Sequence, residues 1–337
     1  MTFCSAAVSR TSACRCTVRS ANKIRMRTMV RWKTKKNLRK WCLTFGIVLQ
    51  CLVIGCSSVG SRSEHDFNQP TLLWKIESDA DAASYVFGTI HLPDSTVFFQ
   101  RDTVLTILQR CREFYSEINL DSALSGMDPS VMMLPAGKKL WDFYTPSQVT
   151  ELKAVLTKKL GPMSFMAEKL KPGAVIALLA MDADGATAPM SVDEFLWRTA
   201  KSAGCRVSGL ETLHEQLSLL DSIPPTMLLE AARQAESDST LTVLINAYRT
   251  EDLHVIVQMV DSVSTLETFM VKLNDTRNIT MAQRMKAAVD NGGAFFALGA
   301  AHLGGKQGLL AELAKLGYRV TPVFGGKRRS WLQHGTH

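Results

Sequence analysis

Two histidines and two glutamates are the side chains here whose types and spacing best suit chemistry. His91 ends Gly88-Thr89-Ile90-His91 and His302 ends Gly299-Ala300-Ala301-His302, each followed by a leucine. Glu117 lies within Phe114–Leu120, and Glu211 closes Cys205–Glu211. Two imidazoles and a carboxylate suit a borderline divalent ion such as Mn, Fe, Co or Zn, and further oxygen ligands would favour Mn. Such an ion lowers the pKa of a bound water and polarises a carbonyl, and a second carboxylate can act as general base. That is the chemistry of amide or ester hydrolysis. The competing reading makes them core histidines and structural carboxylates that only satisfy local hydrogen bonds.

Strands must position these groups. The runs before each motif, Ser84–Phe87 and Ala294–Leu298, are apolar at both parities, as in a strand covered on both faces of an α/β sheet. A glycine there permits tight backbone geometry or close approach. Each histidine then falls just past its strand, where such sheets bind ligands. Thr71–Ile76 reads as an opening strand paired with Tyr85–His91 across Asp79-Ala80-Asp81. Val104, Leu105, Leu108 and Cys111 keep helical spacing, and Phe114–Leu120 is the next strand. Thr145-Pro146 with Gln148 opens a helix ending by Gly161, and Ser191 with Glu194 opens another ending at Gly204. Cys205–Glu211 is a strand. Residues 213–290 are helical in pattern, with breaks expected at Pro224-Pro225 and around Asp275. A helix carrying Leu309, Leu310, Leu313 and Leu316 follows the second motif, before a last strand at Arg319–Phe324. The expectation is an α/β fold over residues 71–324. Its mixed central sheet would be built from pseudo-duplicated strand–helix units, with a helical insertion at about 213–290. The basic tail, 325–337, reads as loose.

The first 55 residues hold 12 Lys or Arg and no Asp or Glu. The body therefore has 27 basic residues (39 less 12) against 31 acidic ones, and the net +8 belongs to the leader. A nucleic-acid partner is thereby excluded. From Met29 the leader reads as a secretory signal, with a basic stretch before the apolar Trp41–Gly55. Met26 or Met29 would suffice as its start. Leu52-Val53-Ile54-Gly55-Cys56 resembles a bacterial lipobox, which places lipid on Cys56 and a serine-rich tether over 56–70. A plain signal anchor is the alternative. The expected location is the bacterial cell envelope, lipid-anchored and facing the periplasm. Only Cys111 and Cys205 of the eight cysteines remain in the body, where they either pair or stay as buried thiols.

Several other chemistries lack their residues. Glu211-x-x-His214 and Glu251-x-x-His254 have di-iron spacing but lack two further glutamates from other helices. His-Glu-x-x-His, Gly-x-Ser-x-Gly and a P-loop are absent.

Together, Phe87–His91, Ser116-Glu117, Gly209–Thr212 with Gln216, Arg277-Asn278, and Gly299–Leu303 with Gly317-Tyr318 resemble the TraB/PrgY/GumN family, related to the Tiki proteases. The resemblance spans about Leu72 to Phe324. It implies a divalent-metal-dependent protease-like site with His91, Glu117 and His302 at the metal positions. It also implies that Arg277 lies at the site, holding a carboxylate or stabilising an oxyanion. The fold it implies is related to lipoproteins that bind haem iron. Glu117, in a buried strand, needs a cation or several donors, whereas Glu211, in a more polar segment, is freer to act on water. The expected protein is an exported lipoprotein that hydrolyses a peptide or protein substrate. The alternatives are a non-catalytic binder of peptide, metal or haem, and an envelope protein with a vestigial site.

Overall fold

The computed structural model describes residues 67, 69–125, 128–179, 188–234, 239–261 and 267–331. The signal segment 1–55, Cys56 and most of the tether lie outside these residues.

The apolar runs make strands, as their unbroken burial requires. Ala294–Gly299 (β6) is buried at all six positions and Ser84–Thr89 (β2) at all but Tyr85. With Leu73–Glu77 (β1), Glu113–Ile118 (β4), Arg206–Glu211 (β5) and Arg319–Pro322 (β7) they form one sheet in the order β5-β4-β6-β2-β1-β7. The pairings β2–β6, β4–β6 and β4–β5 are parallel, whereas β1 runs antiparallel to both β2 and β7. The sheet is mixed, and its motif-bearing strands all end at the same edge. β2 and β6 pair directly, Gly88 opposite Leu298 and Thr89 opposite Gly299, so the two motifs sit side by side. Each strand–helix–strand unit crosses its neighbour: β4 lies beyond β6, and β7 lies beyond β1.

Local capping rules place the starts of the helices that follow Thr145, Ser191 and Thr212. Thr145 and Gln148 form the full capping box of helix Pro146–Leu160, which stops at Gly161 with φ +52°. Ser191 caps helix Val192–Ser202, but the Glu194 side chain pairs with Arg198 instead of completing a box. The helix after the first motif, Asp102–Leu108, ends before Cys111. Cys111 and Cys205 are free thiols, and Cys205 Sγ donates to the Cys111 carbonyl at 3.1 Å.

Three expectations change. No break occurs near Asp275: helix Glu267–Asn291 runs straight through it, because Asn274, Arg277, Asn278 and Met281 continue one buried face. Segment 213–290 does not pack as one insertion. Its first part, with Leu217 and Leu228, joins Leu152, Leu156, Val175 and Leu178 in a separate helical cluster. Its later part, with Tyr248, Ile256 and Met285, packs into the main core around the sheet. Nor is the described part of the tail, 325–331, loose. Arg328–Ser330 (β8) pairs antiparallel with Phe99–Arg101 (β3), and Trp331 is 1% exposed, stacked on Phe195 at 5.5 Å. Burial of the indole adds apolar stabilisation while the short basic run before it stays exposed and solvated. Among the described residues, no helix is long and apolar enough to cross a membrane.

Candidate functional site

Parallel strands deliver the candidate residues to one edge because each carries its polar group at its C-terminal end. Glu117 is the penultimate residue of β4 and Glu211 the last of β5, with Ile118 opposite Glu211. His91 follows β2 by two residues, and His302 closes a short turn, Ala300–His302, after β6. Arg277 and Asn278 reach the same edge from helix Glu267–Asn291. All six are buried, His302 to 1% exposure and His91 and Glu211 to 8%.

Close approach explains the first motif glycine. A Cβ on Gly88 would lie 2.9 Å from Leu303 Cδ1 and 3.1 Å from the Ala300 backbone, so the motifs touch only because Gly88 has no side chain. Its carbonyl accepts from the buried Tyr248 hydroxyl at 3.0 Å. Gly299 contributes through its backbone, donating its N–H to Glu117 Oε1 at 2.9 Å.

Glu117 is the hub. Its Oε2 accepts from Arg277 Nη2 at 2.8 Å and from Gln216 Nε2 at 3.0 Å. Its Oε1 faces the Nε2 atoms of His91 and His302, each at 3.8 Å. Burial alone would raise the Glu117 pKa, but the positive charges of Arg277 and His91 hold it well below the usual carboxylate range. Glu117 is therefore an anion inside the protein, matched by several partners.

Both imidazoles are held from behind. His302 Nδ1 lies 2.7 Å from Asn278 Oδ1, whose own Nδ2 donates to the Gln307 carbonyl at 2.9 Å. That orientation makes Oδ1 the acceptor, so His302 carries its proton on Nδ1 and presents the Nε2 lone pair. Arg277 Nη1 donates to that Nε2 at 3.1 Å. Burial and the Arg277 charge push His302 down to about 4, so the ring is neutral. His91 Nδ1 pairs with Asp193 Oδ2 at 2.8 Å, off the line of a hydrogen bond, and Thr89 Oγ1 donates to Asp193 Oδ1 at 2.5 Å. Burial opposes charge on His91, but Asp193 and Glu117 outweigh it and raise its pKa to about 10. His91 Nε2 is buried with no hydrogen-bond partner.

Glu211 is not a free carboxylate. Arg277 Nε donates to its Oε1 at 3.0 Å and Arg277 Nη2 to its Oε2 at 2.7 Å, while Gln216 Nε2 reaches Oε2 at 3.0 Å. The polarity of its segment suggested access to water, whereas the fold closes it on a guanidinium from a distant helix. Burial opposes the charge of Arg277, and its two carboxylate partners raise its pKa despite it.

The structure thus brings together His91, Glu117, Glu211, Arg277 and His302, with the motif glycines beneath them. His214 and His254 belong elsewhere: Glu211 faces Arg277, and Glu251 is held by Arg101 Nε at 3.0 Å. Sequence reasoning missed Asp193. Its only signal was an acid in the first turn of a helix, which ordinarily serves the helix dipole.

Among the described residues, no three side chains are already drawn to ligand distances around one point. The donor set nonetheless fits a divalent ion. His302 is oriented through Nδ1 by an acceptor, which is how metal-bound histidines are usually fixed, and His91 Nδ1 lies beside the Asp193 carboxylate. Both Nε2 atoms face one carboxylate oxygen, and that of His91 is an orphan. An ion there would be held by His91, His302 and Glu117, with His91 losing its proton and His302 giving up its bond from Arg277.

A family model described as the TraB/PrgY/gumN family matches residues 72–322. No curated protein and no solved structure matches the chain.

Proposed function

The chain belongs to the TraB/PrgY/gumN family, and from that premise we propose an exported lipoprotein that hydrolyses peptide bonds at a divalent-metal site. One observation carries the reading: two imidazoles, one tied at Nδ1 by Asn278 and the other set beside Asp193, turn Nε2 toward the same Glu117 oxygen. A divalent ion of the Mn, Co, Zn or Fe class supplies an acidified water and polarises a carbonyl. This chain's own residues do the rest. Asp193 and Asn278 orient the rings, and Gly299 N–H with Gln216 fixes Glu117. Arg277 keeps Nε and Nη2 on carboxylates, so Nη1, once released from His302, can meet the oxygen of a substrate carbonyl as charge develops there. Glu211 acts by holding Arg277 in that position, because both of its oxygens are engaged. Anchoring through Cys56 and an envelope location complete the proposal, on the lipobox-like Leu52–Cys56.

The engagement of Glu211 supports a second reading, a binder of metal or peptide without turnover. The deciding experiment measures metal content of the purified protein alongside cleavage of a peptide library with and without the ion. Stoichiometric metal and metal-dependent cleavage support the hydrolase. Metal without cleavage supports the binder, and failure to take up any divalent ion removes both metal readings.

A further inference from the structure

Asn274 is 4% exposed, and neither its Nδ2 nor its Oδ1 has a hydrogen-bond partner among the described residues. It lies three and four residues before Arg277 and Asn278 on helix Glu267–Asn291, so the three share one face. That face is the one Arg277 and Asn278 turn to His302 and the carboxylates. Thr276, between Asn274 and Arg277 in sequence, and Ile279, just after Asn278, are exposed.

A buried amide with nothing to bond costs about 1–3 kcal/mol. Packing does not account for it, since a leucine of similar size fills the space without that cost. A cation does not account for it either, because it would satisfy Oδ1 and leave Nδ2 facing nothing. The missing partner must offer one donor and one acceptor together, as a water does and as the main chain of a bound peptide does. In an extended peptide the N–H and C=O of a single residue point the same way, as in the paired positions of a sheet ladder.

We infer that Asn274 is a substrate-binding residue, its side-chain amide gripping the N–H and C=O of one residue in an extended peptide beside the metal site. The inference rests on the peptide reading above and specifies what that site reads: main chain, not side chain. Discrimination among peptide sequences must then come from other contacts.

The test uses the full chain, wild type and Asn274→Leu, with an N-acetylated random octapeptide pool as probe. The tightest member is then remade as a series in which each amide N–H in turn is replaced by an ester oxygen. Thermal melts check the fold, and Asn274→Leu should melt no lower than wild type because it removes an unpartnered amide. Metal affinity should be unchanged. Peptide affinity should fall roughly tenfold. One ester position should weaken binding to wild type but not to Asn274→Leu, since that contact is already gone. Asn274→Asp, which keeps the shape and loses the donor, should also bind weakly. Equal peptide affinity in wild type and Asn274→Leu overturns the inference, as does an ester series that costs both proteins equally or a wild type that binds no peptide. Because the readout is binding, bound peptides that are never cleaved would remove the hydrolase reading and leave this one standing.

Discussion

Arg277 grips Glu211 through two parallel hydrogen bonds, Nε to Oε1 at 3.0 Å and Nη2 to Oε2 at 2.7 Å. Such a bidentate pair fixes the guanidinium plane, which a lysine cannot reproduce. Arg277→Lys should therefore keep the charge yet lose catalysis by about a hundredfold or more, the scale of one lost transition-state donor. Glu211→Gln should retain metal and lose turnover, because its oxygens face Arg277 and not the ion. Metal titration and kcat on both variants check this; a Glu211→Gln that loses metal makes Glu211 a ligand.

Glu117 should behave oppositely. Glu117→Gln removes the one carboxylate that faces both Nε2 atoms and also breaks a buried pair with Arg277. Loss of one partner of a buried pair costs about 3–5 kcal/mol. The expected outcome is lost metal affinity together with a lower denaturation midpoint, read by calorimetry and urea unfolding. Unchanged metal affinity would remove Glu117 from the ligand set.

Acidity should govern the metal. The folded His91 pKa of about 10 lies above the roughly 6.5 of an unfolded chain. Its imidazolium therefore stabilises the metal-free protein fully below about pH 6.5, and that contribution is lost as pH rises through about 10. Metal ligation needs the neutral ring and displaces its proton. Apparent affinity should rise as pH climbs from about 7 toward 10, with the metal-free protein losing stability over the same window. A flat titration across that range contradicts the assignment.

Contact between the motifs should fail when Gly88 gains a methyl. Gly88→Ala would press on the Ala300 backbone at 3.1 Å and on Leu303. Overpacking of this kind costs about 1–3 kcal/mol. Thermal unfolding should show the loss, and metal affinity should fall with it as His91 and His302 move apart.

The two body thiols should resist alkylation in the folded protein. Burial and the neighbouring Cys205 push the Cys111 thiol well above its ordinary pKa, and Cys205 itself is 7% exposed. Iodoacetamide at mildly alkaline pH, followed by mass spectrometry, should label both only after denaturation. Rapid labelling of the native protein contradicts this.

What the sequence revealed followed what is local. His91 and His302 stood out because a four-residue motif recurs at the ends of matching strands, and both lie at one edge of the sheet. Glu117 was legible because an ionised group inside an apolar run demands a partner. Glu211 was misread in its surroundings: polarity along the chain said nothing of a guanidinium arriving from 66 residues away. Asp193 was hidden because a first-turn acid is unremarkable by pattern, though it is buried against His91. Trp331 shows the same limit, since a basic tail gave no sign that its next residue would enter the core beside Phe87 and Phe195.

The strand order has a consequence for how the chain can fold as it is made. β6 is the sixth strand in sequence yet lies between β4 and β2, so the sheet's centre is filled by residues 294–299. Until those residues emerge, β2 and β4 have no common neighbour and Glu117 lacks the Gly299 amide. A nascent chain ending before residue 294 therefore exposes two apolar strand edges, each a template for association with other chains. The site cannot exist on an N-terminal fragment that ends before His302, and folding must wait for pairings across about 200 residues, which makes it slow. Ribosome-stalled or truncated chains should thus bind chaperones and remain protease-sensitive until the second motif is complete.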